Sequence, residues 1–543
     1  MVPESSRHRC AIVAVGLVLI LAVIAVGRAT IQQIEPVHGS DQESPYYDEA
    51  LGPYTREVTT SSERAQAFFD QGVQMMYAFT PGRAAKSFRQ AQREDPACAM
   101  CYWGEAWALG PFYNGPMDAD DAPEAYRKAQ RAQELAEESG TEVERALAQA
   151  MATRYEQEHD PDARESLDSA YARQMGEVHR RFPDDADVAT LYAEALMLLE
   201  PRRGHWKIDK PSVRRIHGVL EGALDISIRH PGACHLYIHA TEPTDEPERA
   251  EACAEHLGSA IPGASHIQHM PSHTYNRVGR WGDAVRANLA ARRTDIRAED
   301  GGAWAIYPTH NLHMLFYAAS MDGQGAVAVQ AARDYAEIAR GGEFYHALAL
   351  LRFGRFVEIL ELDDRPKSPI RRGIWDFARG YAHLRLGDTG RAHEHLELVR
   401  REMEEAPEGE DFRDHTVDQL LGVVGGILEA ELLRRDRGRL EEAVAVLEEA
   451  VAAEDGMIYD EPEPLNFSAR HWLGDVLLEM GRHAEAEAVF RAALEDHPMN
   501  GWSLFGLEAS LRARGLDEEA DRVHVLFEEA WARSDTEIQG PIL

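Results

Sequence analysis

The sequence predicts an all-α fold, a solenoid of stacked helical hairpins carried on an N-terminal transmembrane anchor. Three observations predict it. Small residues, aromatics and prolines recur in a frame of about 34 residues, a repeat length at which one unit is a pair of helices. Histidines gather in three blocks, HLYIHATE at 235–242, HIQHMPSH at 266–273 and HNLH at 310–313. His235 and His269, like His239 and His273, are 34 residues apart, the same spacing as Ala250 and Ala284. Finally, residues 11–27 read AIVAVGLVLILAVIAVG, an uncharged apolar run just long enough to span a bilayer.

The elements follow in order. Arg7 and Arg9 precede the apolar run, so residues 1–9 are read as a short cytoplasmic N-terminus and 10–28 as an uncleaved signal anchor. Cleavage after Ala29 is the alternative, although no convincing small-x-small site stands there; no lipobox cysteine follows. Residues 29–57, polar and interrupted by Pro36, Pro45 and Pro53, read as a linker. The solenoid is expected over 58–543, beginning where Thr60-Ser61-Ser62-Glu63 offers hydroxyls ahead of a glutamate at a helix start. Phe68, Gly72, Met75, Ala84, Phe88, Ala91 and Pro96 then fall on the marks of a first repeat. The next opens with CAMCYWGEAWALG, and Glu194 lies on the groove face of a later one. About ten extra residues at 293–303 read as a lid beside the groove. Gly323 marks a turn, and Gly474, Gly481, Ala486, Phe490, Ala493 and Pro498 restore the full pattern near the C-terminus.

On these residues the chain resembles the tetratricopeptide repeat family over most of 60–535. Its histidine blocks are similar to those of bacterial proteins of this class with HLYIHA-like, HMPSH-like and HNLH-like segments. The resemblance implies a solenoid and a binding scaffold, and no particular reaction.

A net charge of −36 argues against nucleic acid or an anionic lipid surface as a partner, since both require a basic footprint. Five cysteines are too few for a disulfide framework. Cys234 and Cys253 fall on facing helices of one repeat, as a bridge or as two packed thiols; Cys98 and Cys101 form a weak metal or redox signal.

In the register set by alanine, glycine and proline, His235, His239 and Glu242 take the same positions as His269, His273 and Asn276. His310, His313 and Tyr317 fall on the equivalent face of the third unit. That face points about 130° away from the hairpin core and lines the concave groove. Histidines four apart on a helix are neighbours, so each pair suits one ion. The candidate metal ligands are therefore His235, His239, Glu242, His269, His273, His310 and His313, with Glu242 also the candidate general base. His266 either joins them or caps its helix, and isolated histidines such as His205, His217, His230 and His256 are read as surface or capping residues.

Nitrogen-rich ligation suits a transition metal ion (copper, zinc, iron or nickel), bound singly or as a pair similar to a coupled dicopper site. The zincin motif is absent, because Leu236, Tyr237 and Ile238 stand between His235 and His239. Tyr317, Asn276 and Glu194 are candidate substrate-binding residues, with Arg277 for an anionic group. The functional expectation is a membrane-anchored, extracytoplasmic repeat protein binding a transition metal through groove histidines, with oxidative or hydrolytic catalysis on a small-molecule substrate in the groove as its enzymatic form. The alternative is a scaffold that binds an envelope protein or peptide.

Overall fold

The computed structural model describes residues 44–158, 160–435 and 437–543. Helix follows helix along the described chain, each packing chiefly on its sequence neighbours, and the one sheet among the described residues is a two-stranded hairpin pairing Asp411–Phe412 with His415–Thr416. Such local pairing is what stacked hairpins require. The expected all-α solenoid is the fold.

Aromatic wedges explain why the small residues recur. Phe88, on helix Pro81–Glu94, is fully buried between helices Glu63–Tyr77 and Ala99–Leu109. A Cβ on Gly72 or Gly104 would lie 2.6 Å or 2.4 Å from its ring. Phe490 repeats the arrangement between Gly474 and Gly506, where either added Cβ would lie 2.3 Å away. Glycine on the outer helices and phenylalanine on the middle one are thus a single steric device. Gly104→Val, which overpacks the first wedge, is expected to cost about 1–3 kcal/mol of stability, read from chemical denaturation. At Gly323 and Gly481 the backbone takes φ of 71° and 76°, the left-handed turn that closes a hairpin and that glycine adopts without strain.

The array curls back on itself. Trp281 Nε1 donates to the Pro498 carbonyl at 2.9 Å, and Asp535 accepts from the Gly325 and Ala326 amides at 2.6 and 2.9 Å. The C-terminal hairpins therefore pack against the third histidine repeat and enclose the groove.

Two expectations about flanking segments change. Within the stretch read as a linker, residues 44–57 pack along the solenoid: Gln74 holds the Gly52 amide and the Gly52 and Tyr54 carbonyls, and the Ala50 carbonyl accepts from Gly263. Tyr54, Tyr77, Arg56 and His230 all converge on the buried Asp187 carboxylate. The extra residues at 293–303 form no lid. They extend helix Trp281–Glu299 and deliver Trp304, fully buried, against Tyr47.

The membrane location requires correction. No helix among the described residues is long and apolar enough to cross a membrane. The cytoplasmic N-terminus (1–9), the anchor (10–28) and the start of the linker lie outside the described residues. The single-pass location with an extracytoplasmic solenoid is accordingly withdrawn.

Candidate metal centre

Helix Pro231–Thr241 begins with proline after His230, whose ring caps the Ala233 amide. His235 and His239, one turn apart, then face the groove. The next hairpin begins with Ser265–His269 and continues, after a break at Met270, as Pro271–Arg277. Proline in the first turn is tolerated there because its missing N–H would be unpaired anyway. His266, His269 and His273 lie on this segment, and His310 opens helix Pro308–Met321 beside them.

Six imidazoles meet in one chamber, as two triads. In His235, His239 and His266, and again in His269, His273 and His310, the three ligand atoms lie within 4.8 Å of one another. The triads abut: ring centroids of His239 and His273 are 5.4 Å apart, those of His266 and His269 5.5 Å. His310 is half-buried and the other five are buried.

Hydrogen bonds at the outer ring nitrogens fix which lone pairs point inward. His235 Nδ1 lies 2.6 Å from the Tyr77 carbonyl, which can only accept, so that nitrogen carries the proton and Nε2 is a bare lone pair. His269 Nδ1 lies 2.6 Å from Asn288 Oδ1, whose orientation is set by the amide nitrogen donating to the Ala284 carbonyl. Glu242 serves two rings, with Oε1 2.7 Å from His239 Nδ1 and Oε2 2.5 Å from His273 Nδ1. His269 Nε2 and His273 Nε2 then face each other at 2.8 Å, with His310 Nε2 3.4 Å from the latter. At that separation a proton or a metal ion must lie between the two nitrogens, since two bare lone pairs would repel. Across the chamber His235 Nε2, His239 Nε2 and both nitrogens of His266 are buried without a hydrogen-bond partner among the described residues.

Burial sets the charge states. It holds His235, His239, His266, His269 and His310 well below the ordinary histidine range, keeping them neutral as ligands must be. Burial opposes charge on His273 too, but the Glu242 and Glu461 carboxylates outweigh it and raise the ring to about 10. Glu242 is itself pushed up, by burial first and then by Glu461.

A segment distant in sequence roofs this chamber. Arg413 on the β-hairpin turn grips Asp460 and the Glu461 carbonyl, and Arg202 donates to Glu461 Oε1 at 2.6 Å. Glu461 Oε2 thereby comes to 3.1 Å from His273 Nδ1, and Tyr459 donates to Glu242 Oε2 at 2.9 Å. His239, Glu242, His273 and Glu461 form a third group of ligand-type atoms, mixed in nitrogen and oxygen. Outside the roof a cleft of about 40 Å³ reaches Glu242, His273 and Glu461 from solvent.

The sequence-predicted residues are distributed unevenly. Five of the six predicted histidines converge with Glu242, and His266 completes the set. His313 does not join them: one turn after His310 it points into the neighbouring hairpin, with its ring centroid 4.4 Å from that of Tyr345. Asn276 and Tyr317 line the cleft; Tyr317 donates to Glu463 Oε2 at 2.9 Å. Arg277 lies there too, donating to the Glu242 and Thr244 carbonyls. Glu194 accepts from Trp107 Nε1 at 3.1 Å in a second, largely apolar pocket behind His235. Both cysteine pairs are disulfides, Cys98–Cys101 and Cys234–Cys253, so neither offers thiolates to a metal. Sequence reasoning missed Asn288, Tyr459, Glu461 and Phe79. Only the acidic, proline-rich EPEP at 461–464 breaks the helical pattern enough to signal the roof.

Asp295, behind the chamber, accepts from Asn311 at 3.1 Å, and burial raises its carboxyl to about 6 from 3.8. A folded-state value above the unfolded one makes this group favour folding most below the unfolded value, and the contribution is lost as pH rises through about 6. Asp295→Asn is therefore expected to stabilise the protein at pH 7 by about 2–3 kcal/mol, and by much less at pH 4, in paired denaturation curves.

Residues 432–500 match the family model described as Tetratricopeptide repeat. No curated protein matches the chain in sequence. Among solved structures it is similar to the human IFIT1 dimer with m7Gppp-AAAA, at 12% identity over 92% of this chain and 96% of that one, TM-score 0.31. It is also similar to the APC/C hetero-tetramer Cut9-Hcn1, at 11% identity over 86% and 76%, TM-score 0.31. Scores this low carry no argument about what the chain binds.

Proposed function

We propose that this tetratricopeptide-repeat protein binds a transition metal in its histidine chamber, and that the repeats serve to stack three ligand-bearing helices side by side. The observation that carries the reading is the fixed tautomers: His235 and His269 must present bare Nε2 lone pairs inward, and His269 Nε2 comes within 2.8 Å of His273 Nε2. An ion satisfies the buried nitrogens that otherwise cost about 1–3 kcal/mol each. Outer partners of this kind orient ligands and raise their basicity. Glu242, holding His239 and His273 from behind, takes that role in preference to direct ligation. The cleft beside His273 gives a small molecule access to the metal, as an oxidative or hydrolytic enzyme needs.

The family supports a second reading, a protein-interaction scaffold, because tetratricopeptide arrays commonly present a concave binding surface. In this chain the groove at the histidines is filled by imidazoles and roofed by residues 459–463, which favours the metal reading there.

Metal content of the purified, untagged chain, by mass spectrometry, tests it. One or two equivalents of copper, zinc or iron support it. Failure to retain any metal, and to take any up from buffered solutions of each ion, would leave the scaffold reading.

A further inference from the structure

The two triads are alike in a way that bears on which metal they take and how many. All six inward positions are imidazole nitrogens, and no carboxylate belongs to either triad. Glu242 and Glu461 instead engage the outer Nδ1 atoms of His239 and His273. A shell of three imidazole nitrogens adds no negative charge. Imidazole shells suit copper, zinc, iron and nickel, and three imidazoles complete a shell for copper(I), whereas zinc(II) would need a water or other fourth ligand besides. Because the triads abut through His239 with His273 and His266 with His269, two ions held this way would lie roughly 4 Å apart, the separation of paired-metal sites.

A second observation concerns access. His235 also lines a pocket walled mainly by Met76, Phe79, Trp107, Leu191 and Leu236, with Thr190 and Glu194 as its polar members. The Phe79 ring lies 4.0 Å from the His235 ring and stacks parallel to His239 at 5.8 Å. A largely apolar pocket ending at a ligand suits a small neutral molecule and rejects ions.

We propose that the two triads hold a pair of copper ions, one each, and that the pair takes dioxygen through the pocket behind His235. Each copper(I) gives up one electron and becomes copper(II), and the dioxygen gains both, reaching the oxidation level of peroxide. The polar cleft at His273 and Glu461 is left for an organic reductant that returns two electrons to the pair and gives up two protons, with which the peroxide leaves as hydrogen peroxide. This rests on the chamber being a transition-metal site.

The test uses the full chain, stripped with a chelator and reloaded without oxygen from a copper(I)–acetonitrile complex. Two coppers per chain are expected. On exposure to air both oxidise, yet less than about a tenth of the copper gives a paramagnetic resonance signal, because ions at paired-site separation couple. His266→Ala and His310→Ala, each checked for native helicity by circular dichroism, are expected to hold one copper with a full signal. Thr190→Phe, which fills the apolar pocket, is expected to slow oxidation in air about tenfold at unchanged copper content, a barrier increase of about 1.4 kcal/mol.

One copper per chain, two with full signals, or copper(I) stable in air would overturn the pair while leaving the metal reading intact. So would preferential uptake of one zinc that is lost in Glu461→Gln, which assigns the mixed group with Glu242. Unchanged oxidation in Thr190→Phe would overturn the route. If no metal binds at all, both readings fall together.

Discussion

Alanine at both His239 and His273 is expected to abolish metal retention while preserving the helical fold. The two rings belong to different triads, so their joint loss leaves each set with two nitrogens. It also deprives Glu242 of both its ring partners. Removing a single outer-shell partner commonly lowers metal affinity by about 10–100-fold, and removing a ligand from each set should exceed that. The measurement is metal content after dialysis against a weak chelator, with circular dichroism beside it. Metal content equal to that of the unsubstituted chain would refute the chamber as the binding site.

Stability in the same variant gives an independent reading. Without metal, the unsubstituted chamber confines buried ring nitrogens that have no hydrogen-bond partner among the described residues, and His273 is held charged by two carboxylates. Its replacement removes that positive charge and leaves Glu242 and Glu461 facing each other with less counter-charge, so the metal-free variant should lose stability as pH rises through neutrality. Metal added to the unsubstituted protein should raise the melting temperature, because a ligand that binds only the folded state stabilises it by mass action. The double variant should show no such rise.

What was legible in the sequence follows from what repeats. His235, His239, His269 and His273 stand 34 residues apart in pairs because each pair rides on the same turn of the same helix in successive units. A fixed period converts sequence spacing into spatial alignment, and the groove face could be read without coordinates. His310 lies with His269 and His273 in the second triad. His313 does not join them: the template's third register was anchored on Gly323 alone. His310 and His313 diverge around the helix, and the second packs on Tyr345 instead. His266 was left open because it precedes the regular helix, on the short turn Ser265–His269. Tyr459 and Glu461 carry no periodic mark: they reach the chamber only because the superhelix closes, with Arg202 and Arg413 drawing a non-helical segment across it. Long-range closure of that kind leaves little local trace.

The same periodicity predicts where a core mutation will be felt. Phe88→Ala and Phe490→Ala each empty an equivalent wedge between two glycine-bearing helices, and each is expected to cost about 3–5 kcal/mol. Their consequences for metal should differ. Phe88 sets the position of helix Glu63–Tyr77, whose last residue, Tyr77, supplies the carbonyl that fixes the His235 tautomer. Phe490 separates helices Arg470–Glu479 and Gly501–Ala513, neither of which touches a ring of the two triads. Phe88→Ala should therefore weaken metal binding at concentrations where the fold persists, and Phe490→Ala should lower stability with affinity unchanged. In a solenoid each repeat answers chiefly to its neighbours, so a defect two turns away remains local. Equal loss of affinity in the two variants, measured by competition with a chromogenic chelator well below either melting temperature, would show that the chamber depends on the whole curl of the array and not on the hairpin that carries Tyr77.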